Sequence, residues 1–113
     1  MSQSKELVAA SATPLILSIL CQGESYGYAI IQKLRELSDN KIQWTDGMLY
    51  PVLRRLERQR LVLSEWRVAD SGKRRRYYRI KKTGVEQLKE QKTQWTLTNR
   101  VLTKLWGNVT CSI

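Results

Sequence analysis

The sequence contains no histidine, only two cysteines and two prolines, and half as many acidic as basic residues. Without histidine there is no imidazole acid–base catalysis, no Ser-His-Asp triad and no zinc site built on imidazole. Cys21 and Cys111 lie ninety residues apart, so they form neither a CxxC redox pair nor a four-ligand metal site. A disulfide between them is not expected in a chain that reads as cytoplasmic. No purely apolar run, Pro14 to Leu17 included, is nearly long enough to span a bilayer. Met1 to Ala12 carries Lys5 and Glu6 and does not read as a signal peptide. Asn108-Val109-Thr110 matches the glycosylation pattern, a coincidence in a cytoplasmic chain. The carboxylates are scattered and no nucleophile–base pair can be assembled. No enzyme, metal or cofactor is expected.

What is present is charge. The 113 residues carry 20 Lys+Arg against 10 Asp+Glu, a net of +10 on a chain sized for one domain with a modest core. Residues 1–50 have a net charge of −1 and residues 51–113 a net of +11. Arg54 to Lys82 alone holds twelve basic side chains against Glu57, Glu65 and Asp70, interleaved with Trp66, Tyr77 and Tyr78. A merely solvated surface would share its charge more evenly. The asymmetry points to an anionic partner, nucleic acid above all.

Lys5 to Gln22 reads as helix. Thr13-Pro14 fits an N-cap and N1 proline, so the first dozen residues are either a separate short helix or part of one kinked helix. Gly23 reads as a left-handed C-cap. Ser25 can cap a second helix to about Leu37, with Tyr26, Ala29, Ile30, Lys33, Leu34 and Leu37 as its inward stripe. Ile42-Gln43-Trp44 alternates like a brief strand. Thr45 caps a third helix with Asp46 at its positive end. Leu49, Val52, Leu53 and Leu56 form its apolar face; Gly47, Met48, Tyr50, Pro51, Arg54, Arg55 and Arg58 fall largely on the other. Pro51 requires that helix to begin near residues 45–47. Leu61 to Ile80 shifts to period two around an Asp70-Ser71-Gly72 turn, a β-hairpin with a basic tip. Thr83-Gly84-Val85-Glu86 fits a capping box opening a long helix to about Trp106. Leu88, Trp95 and Leu102 repeat every seven residues on it, widened by Val101, Leu105 and Trp106. That stripe is covered either by a second subunit or by the chain's own N-terminal helix.

Helix, helix, helix and basic hairpin is the order of a winged helix-turn-helix, in which the third helix enters the major groove and the wing touches the backbone. The fold class expected is mainly α with a small β-hairpin wing. Gly47-Met48-Leu49-Tyr50-Pro51-Val52-Leu53-Arg54-Arg55-Leu56-Glu57 resembles the G-[S/T]-L-Y-P-x-L-x-R-L-E signature of PadR-like transcriptional regulators. Gly23 to Ile30, the wing from Ser64 to Arg79 and the start of the last helix are similar to further family segments, so the likeness covers about residues 7–106. Met48 departs from it, standing where a small hydroxyl residue is usual.

The resemblance implies a homodimeric repressor that binds a palindromic operator. Residues 1–82 would form the DNA-binding domain, 83–107 the dimerisation helix and 108–113 an unordered tail. Candidate contacts to double-stranded DNA are Tyr28, Thr45, Gly47, Met48, Tyr50, Pro51, Arg54, Arg58, Lys73, Arg74 and Arg75. Candidate dimer contacts are Leu7, Leu88, Trp95, Val101, Leu102 and Leu105. Trp95 falls where some family members stack flat aromatic ligands between subunits, so a small aromatic effector is a further expected partner. Two other readings remain: a module whose main output is ligand sensing, and a non-specific architectural binder of nucleic acid.

Overall fold

The computed structural model describes residues 4–108. The tail expected at 108–113, with Cys111 and most of the Asn108-Val109-Thr110 pattern, lies outside them, apart from Asn108. The element order is α1 (Lys5–Cys21), β1 (Ser25–Tyr26), α2 (Gly27–Leu37), α3 (Asp46–Arg58), β2 (Val62–Val68), β3 (Arg74–Ile80) and α4 (Lys82–Asn108). Strands pair antiparallel in the order β1-β3-β2. The fold is a winged helix with a long C-terminal helix.

Helix α1 is continuous through Pro14 and is capped by Ser4, whose hydroxyl accepts from the Leu7 N–H at 3.1 Å. The alternative start at Thr13 is not used. Alanine-rich sequence favours helix before the proline, and burial of Ala12 holds that turn on the core. Gly23 follows the helix end at a positive φ of +154, a backbone that favours glycine, with Gln22 as C-cap. Ser25 is not a helix cap. It and Tyr26 pair with Tyr78 and Tyr77, giving the otherwise open edge of β3 a backbone partner.

The inward face of α2 is therefore Gly27, Ile30, Ile31 and Leu34, whereas Leu37 is 68% exposed. Packing against α3 and α1, not the position of the helix start, selects this stripe over the expected one. Asp39 and Asn40 both have left-handed φ and close a Schellman-type end, with the Asn40 N–H on the Arg35 carbonyl at 2.8 Å. Ile42 to Trp44 forms no strand; it is irregular chain that inserts Trp44 into the core while Gln43 stays exposed.

Helix α3 begins as expected, the Thr45 hydroxyl accepting from the Met48 N–H at 3.3 Å. Leu49, Leu53 and Leu56 are fully buried. They join Ile16, Leu17 and Leu20 of α1, Ile30 and Leu34 of α2, Val62 and Tyr78 of the sheet, and Leu88 of α4. Full burial is worth about 1.5–3 kcal/mol per large aliphatic side chain, so this cluster fixes how α3 presents its other side. Arg55 is an exception to the expected outer face. It turns inward and donates to the Thr13 hydroxyl at 2.8 Å.

The T-x-x-E box does not form. Thr83 lies inside α4 and its hydroxyl donates to the Arg60 carbonyl at 2.5 Å. Arg60, at φ +61, ends α3 in a second Schellman turn, so this bond ties the start of α4 to the end of α3. Helix α4 then divides in two. Its first turns pack on α1 and the sheet, and Leu88 is 5% exposed in its own chain's core. That burial needs no partner, which removes Leu88 from the free dimer surface. Beyond Gln91 the described residues with assigned burial are exposed except Leu102, which is half-buried.

Candidate nucleic-acid interface

Packing of Leu49, Leu53 and Leu56 leaves Met48, Tyr50, Pro51, Arg54 and Arg58 exposed along the opposite side of α3. The hairpin lies beside this face. Register pairs Val62 with Ile80, Ser64 with Tyr78, Trp66 with Arg76 and Val68 with Arg74. Period-two geometry places these eight on one face of the wing. Near the core that face is apolar, and toward the tip it is aromatic and basic.

Between α3, the start of α2 and this face of the wing lies a cleft of about 780 Å³. It gathers Tyr28, Tyr50, Arg54, Lys73, Arg74 and Arg75 from the expected DNA contacts. Gly47, Met48, Pro51 and Arg58 of α3 lie outside the cleft and exposed, as does Thr45 just before the helix, its hydroxyl engaged as the cap. Tyr26, Gly27, Glu57, Trp66, Arg76 and Tyr78 also line it. The alternation of β3 carried the signal for Arg76 and Tyr78. Glu57 had none, because a carboxylate inside a basic cleft runs against the charge argument.

Gly27 has a tertiary reason. A Cβ there would come 2.6 Å from the Tyr50 hydroxyl, so the absent side chain lets Tyr50 lie across the start of α2. Arginine–aromatic stacking orders the wing. The Arg74 guanidinium sits 5.0 Å over Trp66, and Arg75 lies 4.6 Å over Tyr26. Such stacking leaves the guanidinium edges available to phosphate oxygens. Burial pushes the Tyr78 phenol above its ordinary value, so it adds no charge to the cleft near neutrality.

The outer face of the wing behaves differently. Arg67 binds both Glu24 oxygens, at 2.5 and 2.8 Å, and also Glu65. It stacks 4.8 Å over Tyr77 as well. The Arg67 guanidinium holds the Glu24 carboxyl below its ordinary value. Arg67 thus counts toward the net charge of the basic block without offering an unpaired cation.

A recognition helix beside a basic wing makes this a winged-helix protein of the DNA-binding kind. Residues 16–90 match the model of the transcriptional regulator PadR-like family, and the chain belongs to that family. It is a transcriptional regulator, not an enzyme. A structure of a transcriptional regulator from Clostridium thermocellum is similar at 32% identity, covering 88% of this chain and 97% of that one, with a TM-score of 0.80. A PadR-like regulator from Bacillus cereus superposes at TM-score 0.81 with 28% identity over 93% of this chain and all of the other. A PadR family regulator from Eggerthella lenta is 36% identical, with 92% and 88% of the chains covered and a TM-score of 0.75. An uncharacterised protein of Lysinibacillus sphaericus is 26% identical over 86% of this chain and 89% of its own length. Among the described residues no helix is long and apolar enough to cross a membrane.

Proposed function

We propose that the chain is a cytoplasmic homodimeric repressor that binds a palindromic operator and is released by a small aromatic ligand. The observation that carries this reading is the cleft itself, where exposed residues of α3 and the guanidinium groups of the wing face one common space. Residues 1–82 read DNA and 83–107 join the subunits. The far half of α4 supports the second part: Trp95, Val101 and Leu105 are 41%, 47% and 55% exposed, an apolar stripe that a second copy would cover. Leu7 of α1, also exposed, can join it. Two-fold pairing would present two copies of α3 to half-sites about one helical turn apart.

Gel shifts at physiological salt test the reading. The chain's own upstream region should be preferred over random duplex, and equal binding would favour the architectural alternative. The log–log salt slope should be about −0.9 per phosphate contacted. Arg74→Ala with Arg75→Ala should weaken binding to every sequence and flatten the slope. Arg54→Ala should in addition relax preference at one base position, by about 1–3 kcal/mol. Loss of preference without any change in slope would make Arg54 a base contact alone.

Trp95 carries the ligand part. Planar aromatic compounds should quench its fluorescence and release DNA. Unchanged quenching and release in Trp95→Ala would remove Trp95 as the sensor.

A further inference from the structure

Glu57 is the one carboxylate among the residues lining the cleft, and it stands on the recognition helix where phosphate would approach. Its surroundings explain its presence. Ser64 of β2 donates to Glu57 Oε2 at 2.6 Å. Arg76 of β3 donates through Nε to the Ser64 hydroxyl at 2.9 Å, and its Nη2 lies 3.5 Å from the same Glu57 oxygen. The Arg76 guanidinium also sits 5.7 Å over Trp66, the ring on which Arg74 stacks. One chain of contacts therefore runs from α3 across both wing strands to the basic tip.

We propose that Glu57, Ser64 and Arg76 are positioning residues that set the wing against α3, so that Arg76 governs sequence discrimination and not phosphate attraction. The inference rests on the reading that α3 and the wing bind DNA together. Magnitudes favour it. Both Arg76 and Glu57 side chains are about one-third exposed, and ion pairs so open to water contribute little stability. Geometry is what the pair supplies. Its two ends lie on the two DNA-binding elements, and Arg76 is neutralised by Glu57 before any phosphate arrives. Arg76 therefore adds little to counterion release although it lies within the most basic run of the sequence. Lysine cannot replace it, because the contact needs Nε on Ser64 and Nη2 on Glu57 at once.

The test uses the full chain and a duplex selected by the wild type from a random pool, with random duplex of equal length as competitor. Glu57→Gln combined with Arg76→Ala removes the two opposite charges together and is expected to lower the selected-to-random affinity ratio about tenfold, the scale of one lost base contact, while the salt slope stays unchanged. Glu57→Gln keeps an acceptor for Ser64 but frees the Arg76 charge. It should lower the same ratio, strengthen binding to random duplex and steepen the slope by up to about 0.9. That opposite sign separates positioning from simple loss of fold. Arg74→Ala, the phosphate control, should flatten the slope by about 0.9. If the Glu57→Gln/Arg76→Ala double variant instead flattens the slope and weakens both duplexes equally, Arg76 is a phosphate contact and the proposal is overturned. If Glu57→Gln alone changes neither ratio nor slope, it is overturned as well; this decides the matter even should the double variant fold poorly. If the wild type selects no sequence, the underlying reading of specific DNA binding fails, and this inference fails with it.

Discussion

Val101→Glu combined with Leu105→Glu is expected to yield a monomer whose operator affinity is about 10²–10⁴-fold weaker than the wild type's. Both side chains are about half exposed in the single chain, so charge at these positions costs the monomer's fold little. In a dimer they would face a second copy of themselves, and four carboxylates would crowd an apolar seam. Operator binding by two linked half-sites gains from effective concentration, which exceeds single-site affinity by about 10²–10⁴. Splitting the dimer forfeits that factor without touching α3 or the wing. Binding to short random duplex should change much less. Light scattering after size exclusion gives the mass, and a gel shift gives the affinity. A retained dimer would move the interface elsewhere; a monomer with undiminished operator affinity would remove the palindrome from the reading.

Gly84→Ala is expected to destabilise the fold by about 3 kcal/mol, the upper end of the overpacking range. A Cβ at this position would stand 2.3 Å from the Leu61 carbonyl oxygen and 2.7 Å from Ile80 Cγ1. The carbonyl is main chain, and it already accepts from the Lys81 N–H at 2.9 Å, so it has no free rotation with which to yield. The start of α4 would have to lift from the joint between α3 and the wing. Thermal unfolding at fixed protein concentration should show Tm lower by about 10 °C or more. Gly107→Ala is the matched control. Nothing lies within 4 Å of its added Cβ, and replacing a helical glycine by alanine is neutral or gains up to about 1 kcal/mol. Similar melting of wild type and Gly84→Ala would mean that α4 does not dock as closely as described.

Helix α3 shows how much a local pattern can carry. A threonine cap, an aspartate at the positive end and leucines at helical spacing specify its start and its buried side, and therefore which side is exposed. The hairpin is equally local, since alternation and a Ser71-Gly72 turn with Gly72 at φ +86 define both strands. The failures have a common cause. Ser25 has the chemistry of a cap but lies against the open edge of β3. Thr83 has the chemistry of a capping box but meets the Arg60 carbonyl, twenty-three residues away. Leu88 belongs to the heptad stripe of α4 but reaches the core before any partner does. In each case one side chain had two competing roles, and the contact that decided between them came from a distant part of the chain.

Without histidine or a paired nucleophile, and with basic residues in twofold excess, residue type alone points to an anionic partner, with helices and wing in a legible order. Those conclusions depend on residue type and near-neighbour spacing, which the chain carries directly. Folding selects which charges remain available. It closes Arg67 on Glu24 and Glu65, turns Arg55 onto Thr13, and ties Arg76 through Ser64 to Glu57. It leaves Arg54, Lys73, Arg74 and Arg75 around one cleft. Charge can be counted along a sequence, but its neutralisation depends on distances of a few ångströms between residues far apart in the chain, and those distances exist only after folding.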